Sequence, residues 1–300
     1  MEWIAPLIGT GYLLGWAAQA NARSDAYKRW PRQRLLCASV AVVLLGFCFS
    51  EWVMHQAHGD YRWHMAQHVL IGMVAPLLLV CSAPGTLLLR ALPVAIARRL
   101  VRCWHSRPLC WAWHPLPASV LHIGGMYLLY LTPLFTWGMA HPAGHVWLHL
   151  HFLLAGYLYC QAILGGPDRL PGTASRRTRG MWLWCSAGLH ALLGKLMYAG
   201  PWPDGAGIAS DSLRQGAMLM YYAGDLAELM LMVVFFATPH WAAAGRPIRR
   251  RAYGKVARWR SSPGCVGCRH GGPISDLPTS AASMSGRTAS GDRAFRGPAG

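Results

Sequence analysis

Continuous apolar segments constrain this chain more than any other feature of its sequence. They recur along the first 240 positions and are about 18 to 25 residues long, enough to cross a hydrocarbon layer roughly 30 Å thick as helices. Their polarity does not alternate as in a membrane β-barrel, so helices must satisfy the backbone hydrogen bonds. Only 13% of the residues are charged, against about 25% in soluble domains. The sequence therefore predicts an all-α, multi-pass membrane protein.

We predict seven transmembrane helices that form one bundle within residues 1–240. Their approximate ranges are 3–20, 35–55, 64–89, 116–137, 143–164, 181–199 and 213–237. The first segment lacks a basic leader and an evident small-residue cleavage site, so we expect it to remain as a span. Residues 241–300 are basic and rich in Gly, Ser and Pro, a composition typical of a disordered tail.

The positive charges predict the orientation of the bundle. Arginine and lysine collect after the first, third, fifth and seventh predicted spans, whereas the connection GMAHPAG between the fourth and fifth carries neither. Because cytoplasmic loops accumulate these residues, we expect the N-terminus outside and the C-terminus in the cytoplasm. The net charge of +17 is then explained by membrane topology, and we expect no nucleic acid partner.

Histidines have the opposite distribution and gather at the connections predicted to face outward. These are His55, His58, His64, His68, His141, His145, His149 and His151. His64 and His68 stand four residues apart, as do His145 and His149, so each pair shares one helix face. Two such pairs on neighbouring helices would offer four imidazole nitrogens to copper, zinc, iron or nickel. The thioether of Met65, beside His64, would favour Cu(I).

Other polar residues accompany these pairs. Glu51 and His55 share a face of the second span with His58, whereas His151 points about 160° away from His149. Asp211 is expected to cap the last helix. A deeper group lies in apolar surroundings and comprises His122, His190, Asp225 and Glu228. Ionisable groups are costly in lipid, so we expect this group to face the bundle interior. It either joins the helices structurally or supports a metal-bound histidine as a relay or hydrogen-bond acceptor.

Simpler explanations stand beside the metal site. A single histidine near a helix end is usually solvated or bonded to a carbonyl, and methionines in membrane helices mostly pack. The nine cysteines give no disulfide framework, and one C-x-x-C pair, Cys265 and Cys268, is a weak signal for zinc. The sequence contains no Ser-His-Asp spacing, phosphate loop or H-E-x-x-H motif, so we expect no enzymatic activity.

Four segments resemble the CtaG-type cytochrome c oxidase assembly factors in order and spacing. They are HMAQHVLIGMVAPLLLVCSAP (64–84), GHVWLHLHFLLAGYLYCQAILG (144–165), LHALLGKLMYA (189–199) and DSLRQGAMLMYYAGDLAEL (211–229). The matching positions are His64, His68, His145, His149, His151, His190, Asp211 and Asp225. The loop GGPD departs from the family's G-x-D-P order, and Ser212 follows Asp211 where the family often has Gln.

This resemblance implies an integral protein of the bacterial inner membrane that helps to mature a haem-copper oxidase and handles copper on the outer face. Its expected partners are oxidase subunits and the lipid bilayer. We expect the ligands to be His64, His68, His145 and His149, with Met65 as an auxiliary ligand. The supporting polar residues are expected to be His151, His190, Asp211, Asp225, Glu51 and His55. Three alternatives stay open: a b-type haem protein, a metal-free assembly scaffold and a copper transporter.

Overall fold

The computed structural model describes residues 12, 15–17, 30–168, 174–200, 202–203 and 207–238. Over these residues the chain forms helices and no strand, which confirms the all-α prediction. The helices are α1 (Arg32–Cys48), α2 (Glu51–Gly59), α3 (Tyr61–Ser82), α4 (Pro84–Ala91), α5 (Val94–Trp104), α6 (Arg107–Ala112), α7 (Pro115–Tyr130), α8 (Leu134–Ala140), α9 (Pro142–Leu164), α10 (Arg176–Ala199) and α11 (Ser210–Ala237). Most of the predicted first span and all of the predicted tail after residue 240 lie outside the described residues.

Three helices, α3, α9 and α11, are long and apolar enough to cross a membrane. Two bent pairs also qualify if each counts as one span: α1 with α2, which meet at 55°, and α7 with α8, which meet at 81°. The described residues therefore contain three to five candidate spans, and the prediction of seven is not confirmed. Helix α10 occupies the predicted sixth span but does not qualify, and it carries Arg176, Arg177, Arg179 and Lys195.

Helix breaks interrupt two of the predicted spans. The span predicted at 35–55 bends at Ser50, whose hydroxyl accepts a hydrogen bond from the Val53 amide and so caps α2. The span predicted at 64–89 breaks at Ala83, which has a left-handed φ of 56°. Pro84 then begins α4, because proline fits the first turn of a helix better than its interior.

Helix α3 is the centre of the described bundle and packs against α1, α2, α9 and α11. A π-helical turn, Leu70–Val74, interrupts α3 directly after His68. A second such turn, Val120–Gly124, interrupts α7 and contains His122. Single π-helical turns inside α-helices are frequent at functional sites. Both turns therefore favour a functional role for the histidines beside them.

The two largest apolar clusters lie in the interior of the bundle. One includes Met65, Tyr130, Phe135, Phe152, Leu193 and Met220, and the other includes Leu77, Tyr159, Ile163, Leu183, Leu231 and Phe235. Along α3, α10 and α11, the buried residues His68, His190 and Glu228 fall between members of the two clusters. Buried polar residues therefore lie between these two clusters, beside a smaller apolar cluster of Val69, Met73 and Ala227.

The two ends of the bundle differ in composition. At the end that we call the histidine end, residues 57–61, 135–139 and 207–212 meet around one cleft. The opposite end, which we call the arginine end, carries Arg90 and Arg176. There the buried carboxylate of Asp168 accepts hydrogen bonds from the amides of Gly85 and Thr86. Asp168 thereby caps α4 from the loop after α9. The predicted side of the membrane for each end stays a prediction.

Helix α5 carries its charges along one side. Its arginines Arg98, Arg99 and Arg102 project from a helix that has no fully buried side chain, while Leu100 and Trp104 lie on the opposite face by the 100° helical step. A short helix with arginines on one face and apolar residues on the other is typical of a segment lying at a membrane interface. This arrangement agrees with lipid headgroups as neighbours of α5.

Helices α3 and α9 approach each other closely at Gly156. A Cβ atom added there would overlap the carbonyl oxygen of Gly72, which lies in the π-helical turn of α3. The absence of a side chain at Gly156 therefore sets the separation of the two helices that carry the paired histidines.

We expect Gly156→Ala to lower the free energy of unfolding by about 1–3 kcal/mol, because the added methyl group forces two backbones apart. Gly188→Ala in α10 is the matched control, since a Cβ atom there meets nothing within 4 Å. Alanine should leave that helix unchanged or slightly stabilised. Thermal unfolding of both variants in detergent measures the difference, and equal melting temperatures would contradict the close crossing.

Candidate metal site

The four histidines predicted as ligands line one cavity. His64 and His68 come from α3, His145 and His149 from α9, and Phe135 and Met139 of α8 close the cavity. Its volume of about 20 Å³ is enough for one water molecule or ion. None of the four histidines is more than 8% exposed. The structure therefore brings both predicted pairs together in a buried space of ionic size.

A local cap fixes the position of the α3 pair. The Asp60 carboxylate accepts a hydrogen bond from the Arg62 amide at 2.9 Å, which starts α3 at Tyr61. The same carboxylate pairs with the Arg62 guanidinium at 2.6 Å, and this contact lowers the pKa of Asp60. His64 consequently lies in the first turn of α3, stacked on the Tyr61 ring at 5.9 Å, and His68 lies about one turn deeper.

The α9 pair is held by its own backbone. The ring centroids of His145 and His149 are 4.3 Å apart, and His149 donates from Nδ1 to the carbonyl oxygen of His145 at 2.9 Å. A histidine that donates through Nδ1 keeps Nε2 available as an acceptor or metal ligand. His58 of α2 adds a fifth imidazole, with its ring 5.0 Å from that of His145.

Several nitrogens around the cavity have no hydrogen-bond partner. They are Nδ1 of His64, Nε2 of His68 and Nε2 of His145, and all three are buried. Buried polar atoms in proteins are nearly always paired, so three unpaired nitrogens around one cavity fit a bound ion. The chemistry of the donor set therefore suits copper, zinc or another metal that imidazole binds.

The four imidazoles do not form a compact set of ligand atoms around one point. Among the described residues, the three-ligand group whose donor atoms all lie within 4.8 Å of one another is a different one: His190, Asp225 and Glu228. An ion in the histidine cavity would therefore contact only some of the four rings at once, or the rings would have to turn inward. Such a set is less closed than a structural metal site, in which four ligands surround the ion.

A larger cleft adjoins the cavity at the histidine end. Its volume is about 530 Å³, and the residues His64, Phe135 and Met139 line both spaces. The rings of His64 and Phe135 meet edge to face at 5.2 Å. These three side chains form the wall between the cleft and the cavity, so an ion that passes between the two spaces must pass them.

Met65 does not line the cavity. Its fully buried side chain packs in the apolar cluster with Tyr61 and Met220, and Met139 is the methionine at the cavity wall. The sequence spacing already indicates this separation, because Met65 follows His64 directly and so points about 100° away from it on a helix. The structure therefore places the predicted auxiliary ligand apart from the histidines.

Four other predicted residues also lie away from the cavity. Glu51 and His55 are exposed on α2, and only their neighbour His58 contacts a cavity histidine. His151 stacks on the ring of Trp147 at 5.5 Å and lines a different cavity, as the helical angle predicts. The capping role predicted for Asp211 is wrong. The N-cap of α11 is Ala209, and Asp211 lies in the first turn, where the helix dipole favours a carboxylate.

The deep polar residues gather around α10 and α11. His190 and Asp225, both predicted as support, meet Glu228, which the ligand hypothesis omitted although it follows Asp225 at i+3 on the same helix face. His122 is buried separately, with its ring stacked on Tyr159 at 5.0 Å. Helical spacing was enough to group Asp225 with Glu228, whereas the contact with His190 depends on how two helices pack.

Residues 10–243 match the sequence profile described as cytochrome c oxidase caa3 assembly factor, Caa3_CtaG. The chain belongs to this family. The match includes all four cavity histidines and the deep group of His190, Asp225 and Glu228. It confirms the resemblance found in the sequence, and the family is one of oxidase assembly factors.

Relatives occur in mycobacteria. Uncharacterised proteins of Mycobacterium bovis and Mycobacterium tuberculosis are each 35% identical to the chain over 175 residues, which is 55% of this chain and 26% of each relative. One from Mycobacterium leprae is 34% identical over 177 residues, 56% of this chain and 26% of the relative. The chain thus spans about a quarter of the length of these relatives. No solved structure matches it.

Proposed function

We propose that this family member binds a copper ion as cargo in the histidine cavity and delivers it to a subunit of a haem-copper oxidase. One observation carries the proposal: four buried histidines from two helices surround a space of ionic size, and three of their nitrogens lack partners. The family's role in oxidase assembly supplies the acceptor. The protein would act in a bacterial plasma membrane, without catalytic turnover.

The ligand chemistry supports copper. Imidazole nitrogen binds copper well, and the Met139 thioether at the cavity wall would favour Cu(I) over zinc. The hydrogen bond from His149 Nδ1 to the His145 carbonyl orients one ring and leaves its Nε2 free for the ion. Because the four rings are spread rather than closed, ligands would be exchanged one at a time, as a transfer site requires.

The geometry also supports release at the histidine end. The cleft of about 530 Å³ is large enough to admit side chains of an acceptor, and His64 stands at its boundary with the cavity. Few arginines and lysines occur at this end, so the positive-inside rule favours an outward position for it. A copper acceptor on the outer face of the membrane would then meet the cargo there.

The cavity lined by the four histidines is too small for haem. A macrocycle between two axial histidines would need several hundred Å³, typical of pockets for organic ligands, whereas this cavity has about 20 Å³. The adjoining cleft has about 530 Å³, and the histidines that line it are His58 and His64. The scaffold alternative gives the histidines no ion to bind and attributes them to helix packing. Metal binding by the purified chain separates that alternative from copper delivery.

The test is the Cu(I) stoichiometry of the full chain, purified without a polyhistidine tag and under reducing conditions. Cys265→Ser and Cys268→Ser form the background, because these two thiols would bind Cu(I) themselves. In this background we expect His64→Ala with His149→Ala to lose one equivalent of copper, since the pair removes one ligand from each helix.

The matched control replaces two exposed histidines, His55→Ala with His105→Ala, and should keep that equivalent. Both proteins are compared by size-exclusion chromatography, so that loss of copper is not confused with misfolding. An unchanged stoichiometry in the His64 and His149 variant would refute the copper site and favour the scaffold.

A further inference from the structure

We propose that His190, Asp225 and Glu228 form a second cation site, separate from the histidine cavity and suited to a divalent ion such as Zn²⁺, Mn²⁺ or Co²⁺. The three side chains offer one nitrogen and two carboxylate oxygens, and these donor atoms all lie within 4.8 Å of one another. His190 comes from α10, and the two acids come from α11. The site lies outside the copper proposal and does not depend on it.

Burial without partners is the first support for this site. His190 is 0% exposed, and neither of its ring nitrogens has a hydrogen-bond partner. Glu228 is 3% exposed, and its Oε1 also lacks a partner. Buried polar atoms are nearly always paired, and here the unpaired atoms of two residues face the same small group. A coordinated ion would satisfy them together.

Helix packing fixes the group. Asp225 and Glu228 are three residues apart and share one face of α11. A Cβ atom added at Gly224 would overlap the ring of His190, so the missing side chain lets that ring lie against α11 beside the two acids. Metal–ligand bonds of about 2.1 Å place two ligand atoms at most about 4.2 Å apart. Rotation of the side chains would therefore have to bring the three ligand atoms closer together to close the site around an ion.

The charge of the group indicates the kind of ion. Two carboxylates within apolar helices are costly when ionised, and a divalent cation would neutralise both. No lysine or arginine nitrogen of the described residues lies within 4.0 Å of either acid. Lys195 attracts Asp225 electrostatically but forms no ion pair with it. The Nζ atom of Lys195 lies over the Tyr221 ring, 5.7 Å from its centroid.

Ligand type separates the two sites. Carboxylate oxygens suit harder ions such as Mn²⁺, Zn²⁺ or Co²⁺, whereas imidazole and thioether donors suit Cu(I). A groove of about 390 Å³ lies near the second site between α10 and α11, and Gly194 and Tyr221 help to line it. Gly194 is one helical turn from His190, and Tyr221 is one turn from Asp225.

The test is a Co²⁺ titration of the full chain, followed by the visible absorption of the bound ion. The background carries His64→Ala, His149→Ala, Cys265→Ser and Cys268→Ser, which removes one histidine from each helix of the cavity and both thiols of the C-x-x-C pair. We expect this protein to bind one equivalent of Co²⁺. Glu228→Gln and Asp225→Asn should each weaken binding at least tenfold, because each replaces a charged ligand with a neutral amide.

Asp211→Asn is the matched control, since it removes an exposed carboxylate from the same helix and should not change Co²⁺ affinity. The second site is refuted if the background binds no Co²⁺ saturably, or if both Glu228→Gln and Asp225→Asn bind it unchanged. Should Glu228→Gln fail to fold, the partly exposed Asp225 variant decides. Glu228→Gln without the histidine substitutions should keep its Cu(I) equivalent, so failure of either site is distinguishable from failure of the other.

Discussion

We expect a large loss of function when His68→Ala and His149→Ala are combined. In a bacterial strain that lacks its own assembly factor, this variant should restore copper-oxidase activity to about one tenth or less of the level that the wild-type chain restores. The two substitutions remove one buried imidazole from each helix of the cavity, and the remaining His64 and His145 lie on different helices. Oxygen consumption by isolated membranes measures the effect, with the variant's abundance checked by immunoblot.

Two comparisons make this result specific. Glu51→Gln with His55→Ala changes exposed groups at the same end of the bundle and should restore activity fully. Excess copper in the medium should recover part of the activity of the His68 and His149 variant, because mass action offsets weaker binding of a cargo. Full activity of that variant without added copper would show that oxidase maturation does not use the cavity.

The positions of the apolar helices could be predicted from the sequence because continuous apolarity is a local property. Helices α3, α9 and α11 fall within or close to the spans predicted at 64–89, 143–164 and 213–237. The breaks are harder to predict from hydropathy, because they depend on single residues. Ser50 caps a new helix, and Ala83 adopts a left-handed conformation before Pro84, yet neither changes the average apolarity of a long window.

The histidine pairs were predictable for a similar reason. Residues at i and i+4 share a helix face whatever surrounds the helix, so His64 with His68 and His145 with His149 needed only helical geometry. Which methionine reaches the cavity depends on the bend between α7 and α8, which brings Met139 to its wall. The contact of His58 with His145 likewise depends on packing between α2 and α9. Contacts between helices leave no periodic signal in one sequence.

Asp168 gives the largest expected effect on stability. In the sequence it ends the loop GGPD, whose order departs from the family pattern, and the structure shows what this residue does. The side chain is 3% exposed, with Oδ2 accepting from the Gly85 amide at 2.9 Å and Oδ1 from the Thr86 amide at 2.7 Å. Asp168→Ala would leave both amides unpaired at the first turn of α4, and should lower the free energy of unfolding by about 2–4 kcal/mol.

Asp168→Asn should fall between the wild-type chain and Asp168→Ala. Its amide keeps one oxygen that can accept from Thr86, but it loses the charge and one of the two acceptors. Thermal unfolding in detergent, with the exposed Asp211→Ala as control, measures the series. The cap is refuted if Asp168→Ala and Asp211→Ala melt at the same temperature. Asp168 lies at the arginine end, far along the bundle from the histidine cavity. The Cu(I) stoichiometry of the folded Asp168→Asn protein should therefore equal that of the wild-type chain. This comparison separates the stability of the bundle from metal binding at the histidine end.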